Sequence, residues 1–117
     1  MEKLFFSATI LPDKDHPDPR RVAVNGREAW ALLNLVEAGV TGCTPITTPG
    51  PRWSHYIWLL RGDGFKVETI HEDHAGPFAG SHARYLLHDV VTLEGGNLAS
   101  WRPAGVRYPT TPAQAAA

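Results

Sequence analysis

The chain has 117 residues, of which 43% are hydrophobic and 20% are charged, a size and composition typical of one folded domain rather than a disordered chain. Its single cysteine, Cys43, excludes an internal disulfide and a cysteine-based zinc cage. The net charge of -1 excludes a broadly basic surface, because only residues 20–66 carry a marked excess of Lys and Arg. Any nucleic-acid affinity is therefore expected to be modest and local.

Residues 1–20 are predicted to be an N-terminal extension or linker without regular structure. The stretch 12–19 contains three prolines and four charged residues, a composition that disfavours both a helix and a strand ladder. The first apolar run, residues 4–11, leads into charged residues without a signal-peptide cleavage site, and no run approaches the ~20 apolar residues of a membrane span. A short strand is then predicted for residues 21–24.

The first helix is predicted to begin after Asn25, with Glu28 reaching back to the cap residue in a capping box. Gly39 is expected to end this helix. Between these positions, four apolar residues recur at the i, i+3, i+4, i+7 spacing of one buried stripe: Ala29, Leu32, Leu33 and Val36. The spacing therefore predicts an amphipathic helix with one face in the core.

A second helix is predicted after a proline-rich connection. Residues 40–51 contain three prolines and two glycines, and Thr44 with Pro45 can cap and begin at most one helical turn. Pro51 can open the second helix, and Gly62 can end it. Four apolar residues again repeat at helical spacing: Trp53, Tyr56, Ile57 and Leu60.

A β-hairpin is expected after the second helix. Residues 65–70 favour a strand, residues 74–81 favour a loop, and residues 83–93 favour the returning strand. Residues 95–117 are predicted to be a C-terminal extension whose last residues are disordered. The expected fold is an α+β domain over residues 21–94, with two helices, a shortened middle helix between them, a two-stranded hairpin wing and irregular terminal extensions.

Several short motifs occur in this chain in a specific order: Gly42-Cys43-Thr44-Pro45, Pro51-Arg52-Trp53-Ser54, Leu60-Arg61 with Gly64, Glu68-Thr69, Gly76-Pro77-Phe78 and His82-Ala83-Arg84-Tyr85. Over roughly residues 21–91, the chain resembles a family of small winged-helix proteins of phages and proteobacterial prophages. The resemblance implies a winged helix-turn-helix fold, double-stranded DNA as the partner, and a regulatory or accessory role in the cytoplasm of a bacterial host.

Seven residues are the candidates for DNA contact: Arg52, Ser54, His55, Arg61, Lys66, Phe78 and Arg84. The first three lie near the N-terminus of the second helix, where side chains of a recognition helix reach base edges and phosphates. The next two flank this helix, and the last two belong to the wing, which can contact the minor groove or the DNA backbone. For Phe78, packing back onto the core is an equal alternative.

Trp58 and Leu59 favour a second interpretation. Both are predicted to point away from the buried stripe of the second helix, and exposed apolar patches seldom persist without a partner. Three possibilities remain open for what covers these two side chains: a terminal extension, a second copy of the chain in a homodimer, or a different protein. If a different protein covers them, the domain is a protein-binding module that docks through Trp58, Leu59 and Phe78. An example is a phage-encoded inhibitor of a host or anti-phage defence enzyme.

Catalysis and metal binding are not expected. Four histidines occur in or near the predicted hairpin, without an accompanying cysteine: His71, His74, His82 and His88. In a strand, the first two of these would lie on opposite faces. No nucleophile with an adjacent base and no phosphate-binding glycine loop is recognisable. We therefore predict a non-enzymatic protein without a cofactor, a metal or a membrane partner.

Overall fold

A computed structural model describes residues 3–50, 52–75 and 80–101. Within these residues the chain forms, in order, β1 (Phe5–Ile10), β2 (Arg20–Asn25), α1 (Gly26–Ala38), α2 (Trp53–Gly62), β3 (Val67–His74), β4 (Gly80–Leu87) and β5 (Val91–Glu94). Single 3₁₀ turns follow α1 and β5. The predicted helix opener Pro51, the wing tip with Phe78 and residues 102–117 lie outside the described residues.

β1 is the central strand of a three-stranded antiparallel sheet with the order β2-β1-β5. Ala8 lies opposite Val22 of β2 on one edge and Leu93 of β5 on the other. The prediction of an irregular N-terminal extension is therefore wrong for residues 5–10, which alternate between surface and core as a strand does. Phe5 on the outer face hid this alternation because it is apolar as well, and the proline-rich stretch is only the connection from β1 to β2.

The helix predicted after Asn25 is α1, and its predicted stripe is confirmed as buried: Ala29, Leu32, Leu33 and Val36. The helix ends at Gly39, as predicted, which adopts a φ of 57° and donates its N–H to the Leu35 carbonyl. The predicted capping box does not form, because the side chain of Asn25 makes no cap hydrogen bond. Glu28 instead packs against Asp63 at the end of α2.

The connection between the helices is reduced to the 3₁₀ turn Gly39–Thr41 and one further tight turn at Thr44. Thr44 Oγ1 accepts hydrogen bonds from the N–H groups of Ile46 and Thr47 at 3.2 and 2.9 Å. Directly before the turn, Cys43 pairs with Tyr85 along the free edge of β4. The order of helix, single bridge, turn, helix and hairpin is that of a winged helix-turn-helix. The predicted α+β class and shortened middle helix are therefore confirmed.

β3 and β4 form the antiparallel hairpin of the wing, with Val67 opposite Leu87 at its base. The single return strand predicted for residues 83–93 is wrong, because β4 pairs with β3 whereas β5 joins β1. The chain bends between these strands at Asp89, whose carboxylate accepts the backbone N–H of Lys66. More and less buried residues continue to alternate through the bend, so the sequence pattern carries no sign of it.

Trp53, at the start of α2, packs against α1, the connection and the wing. The centroid of its ring lies 5.1 Å from that of Trp30 on α1 and 5.9 Å from that of Tyr85 on β4. Its Nε1–H donates to the Thr48 carbonyl at 2.8 Å. The predicted stripe of α2 is confirmed, with three residues buried and the last one partly buried: Trp53, Ile57, Leu60 and Tyr56.

The burial of Trp53 predicts a large stability loss on truncation. Trp53→Ala should lower the free energy of unfolding by about 3–5 kcal/mol, because it removes a side chain that is only 3% exposed and leaves a cavity. Trp58→Ala is the matched control on the same helix, since Trp58 is 68% exposed and its loss should change stability by about 0.5 kcal/mol at most. Urea denaturation measures both, and equal midpoints would contradict the assignment of the buried face.

Glu28 and Asp63 join the start of α1 to the end of α2. Within the described part of the chain the buried Oε2 of Glu28 has no hydrogen-bond partner. A hydrogen bond between the Glu28 and Asp63 carboxyl groups requires that one of them carries a proton. Burial, followed by the hydrogen bond and the charge of Asp63, raises the pKa of Glu28 to about 8. This shift favours a protonated Glu28 that bridges the two helices near neutral pH.

This bridge predicts that the free energy of unfolding falls as the pH rises from about 5 to about 8. In that window the folded protein holds a proton at Glu28 that the unfolded chain has already released, so each increase in pH favours unfolding. Glu28→Gln should flatten the dependence and make the protein more stable than the wild type at pH 8. Urea denaturation across this range tests it, with Glu94→Gln as an exposed control, and an unchanged slope in Glu28→Gln would refute the bridge.

Candidate nucleic-acid interface

Three of the predicted DNA-contacting residues lie together where α2 begins. Arg52 precedes the helix with a left-handed backbone, φ 62° and ψ 36°, which turns the chain from the connection into α2. Ser54 is exposed, and His55 is half-buried. Because Trp53 and Ile57 hold the opposite face in the core, these polar side chains lie towards the outer side of the helix.

The guanidinium of Arg52 is exposed and has no hydrogen bond or ion pair within the part of the chain that the structure describes. No side chain caps α2, so the partial positive charge of the helix N-terminus adds to that of the guanidinium. The sequence from Arg52 to Gly62 contains no carboxylate. This end of α2 is therefore electropositive.

Trp58 is the most exposed large apolar side chain among residues 3–50, 52–75 and 80–101. The ring of His55 stacks on it, with centroids 6.2 Å apart and planes inclined by 19°. Leu59 differs from its neighbour, since it is half-buried. The two residues predicted to point outward together therefore differ in exposure, and Trp58 provides most of the exposed apolar surface.

Arg61, the other predicted cation of α2, is bonded to the wing. Its Nε and Nη2 donate to the Val67 carbonyl at 3.1 and 2.7 Å, and Nη2 also donates to Thr69 Oγ1 at 2.8 Å. The guanidinium thereby ties the last turn of α2 to the start of β3. A DNA phosphate would have to compete with these bonds for the same donors.

Lys66 is paired with the connection between β1 and β2. Its Nζ lies 2.8 Å from a carboxylate oxygen of Asp13 and 3.9 Å from one of Asp15. The hydrogen bond from Lys66 holds the pKa of the Asp13 carboxyl well below its usual range. Two acidic neighbours therefore offset the charge of this lysine before any ligand arrives.

Arg84 stabilises the wing through a cluster around Glu72. Its Nη2 and Nε donate to the two carboxylate oxygens of Glu72 at 2.7 and 3.0 Å, and its Nη1 donates to the Thr41 carbonyl at 2.8 Å. His82 Nε2 lies 2.7 Å from the same carboxylate. Arg84 first, and then His82, hold the pKa of Glu72 below its usual value. The described part of the wing thus pairs its arginine internally.

Sequence reasoning did not find the partners of these cations. In the hairpin, Glu72 lies opposite His82, and Arg84 follows two residues later on the same face. Once the register is known, this alternation brings the three side chains together. The register itself depends on the turn and on the packing of the base, so the sequence alone does not supply it.

The histidines form no metal site among the described residues, where no three His, Cys, Asp or Glu side chains converge. His82 bonds Glu72, and His88 Nε2 lies 2.6 Å from Glu68. The residue predicted at the wing tip, Phe78, lies outside the described ranges. Neither α1 nor α2 is long and apolar enough to cross a membrane.

The two arginines of α2 should respond differently to truncation. Arg61→Ala should lower the free energy of unfolding by about 1 kcal/mol, because it leaves the Val67 carbonyl and Thr69 without their donor. Arg52→Ala, which breaks no bond among the described residues, should leave it unchanged. Urea midpoints of the two variants provide the comparison, and equal stability would mean that the Arg61 contacts do not support the fold.

The comparison with known protein families agrees with the order of helices and strands described above. A family profile described as a winged helix domain matches residues 21–97, which begin within β2 and include α1, α2, the wing and β5. Neither the curated proteins nor the solved structures contain a match to the chain. Because the profile covers well over half of the sequence and the structure has the corresponding order of elements, the chain belongs to the winged helix domain family.

Proposed function

We propose that this protein binds double-stranded DNA through α2, with Arg52, Ser54 and His55 at the major groove. The observation that carries the proposal is an outward helix face that begins with Arg52, a cation without a partner among the described residues, and contains no carboxylate through Gly62. Membership of the winged helix domain family supports it, since recognition helices of this type enter the major groove by their N-terminal residues.

Phosphate contacts contribute only a small part of the binding free energy in this proposal. Arg61, Lys66 and Arg84 each have acceptors or acidic partners within the chain, and we assign them to holding the helix and the wing in place. Each phosphate contact contributes about 0.9 to the salt dependence of the binding constant, so few contacts give a shallow salt slope. We therefore expect weak binding that depends on shape and base contacts as well as on charge.

We further propose a non-enzymatic regulatory or accessory role in the cytoplasm of a bacterial host. The resemblance to winged-helix proteins of phages and prophages supports this context. DNA binding by such a domain requires no cofactor, because the reading helix and the phosphate contacts are supplied by the chain itself.

The DNA proposal predicts a selective effect of Arg52. Arg52→Ala should weaken binding to a labelled duplex several-fold and lower the salt slope by about 1, because one phosphate contact is lost. Arg21→Ala is the matched control, since Arg21 pairs with Glu94 on the three-stranded sheet and should leave binding unchanged. Fluorescence anisotropy at several salt concentrations measures affinity and slope, and wild-type values in Arg52→Ala would rule out this contact.

The exposure of Trp58 favours a second candidate function, the binding of another protein. In this case the outer face of α2, with Leu59 at its margin, contacts a host or phage protein or a second copy of the chain. An apolar contact of this kind depends little on salt, unlike a phosphate contact. A wild-type protein that binds no duplex at low salt would contradict the DNA proposal and favour this alternative.

A further inference from the structure

The outer face of α2 has few side chains that could read bases by hydrogen bonds. Asn and Gln recognise adenine, and Asp and Glu recognise cytosine, through paired donors and acceptors in the major groove. None of these residue types occurs between Arg52 and Gly62. Ser54 accepts several bases, and Arg61 is bonded to the wing. Few side chains on this face are thus left for discrimination by hydrogen bonds.

Trp58 occupies the middle of this face and is built to make an apolar contact. Trp58 is 68% exposed, and the ring of His55 stacks against its indole. One turn later on the same face is Gly62, where an added Cβ would meet no atom of the described residues within 4 Å. The described part of the chain therefore leaves the surface at that position open.

We infer that Trp58 reads the C5 methyl groups of thymines in the major groove. The thymine methyl is the apolar group that base edges present there, and an apolar side chain is its natural contact. The cationic start of α2 and the lack of carboxylates along it suit a polyanion around that contact. The inference rests on the proposed DNA binding and names the base feature that such binding recognises.

The composition of the surrounding surface favours DNA over a protein as the occupant. Ser54, His55 and Gly62 lie beside Trp58 on the outer face of α2, and Leu59 is half-buried, so the exposed apolar surface of this helix is mainly the one indole. Protein interfaces are centred on larger desolvated clusters. An isolated indole between polar positions instead fits a groove in which methyl groups alternate with polar base edges.

The test compares duplexes that differ only in methyl groups. A duplex of about 20 base pairs, two helical turns, is prepared with thymine and with uracil at every thymine position. We expect the wild type to bind the uracil duplex at least about fourfold more weakly than the thymine duplex. About fourfold is the change in affinity that corresponds to the burial of one methyl-sized group. In Trp58→Ala the two duplexes should bind equally, whereas the salt slope should remain that of the wild type.

Two further variants separate the contact from a loss of structure. Trp58→Phe keeps an aromatic ring and should retain part of the preference for thymine. Val40→Ala removes a side chain that is 62% exposed in the 3₁₀ turn after α1 and should retain all of it. Circular dichroism of each variant verifies the fold.

The outcomes distinguish the inference from the function on which it rests. Equal binding of both duplexes by the wild type would overturn the reading of methyl groups and leave DNA binding intact. A thymine preference that persists in Trp58→Ala would remove Trp58 from this role. Failure of the wild type to bind either duplex at low salt would overturn the proposed function itself.

Discussion

The packing of Trp53 is the constraint on which the rest of this structure depends. One indole contacts the ring of Trp30 on α1, the ring of Tyr85 on β4 and, through its N–H, the carbonyl of Thr48 in the connection. Both helices, the turn and the wing are therefore positioned by a single side chain. Because α2 has 3.6 residues per turn, fixing its inner face at Trp53 also fixes which residues face outward.

Much of this fold could be predicted from local sequence patterns. The features that could not be predicted depend on contacts between residues that are distant in the sequence. The apolar spacing in α1 and α2 identified their buried faces, because helix periodicity depends on near neighbours. The central strand β1 was missed, since the apolar Phe5 obscures its alternation and its partners lie in β2 and β5. The continuous alternation through Asp89 likewise concealed the break between β4 and β5.

The candidate site shows the same division between local and distant information. The sequence placed Arg52, His55, Trp58 and Leu59 away from the core, because a helical wheel requires only their spacing, although Leu59 is half-buried in the structure. It could not show that Arg61 and Arg84 are engaged, since their partners come from other elements. A basic residue in a sequence is therefore a candidate ligand contact only until its intramolecular acceptors are known.

The pairing of β1 with β5 also affects when this chain can fold during synthesis. Ile10 lies opposite Val91 in the sheet, so β1 completes its pairing only after some eighty more residues have been added to the chain. A ribosome exposes the nascent chain from its N-terminus, and β1 would leave the exit tunnel with one edge unpaired. Contacts of such high sequence separation slow folding. Until β5 emerges, that edge is a site where a chaperone or another nascent chain could pair with the protein.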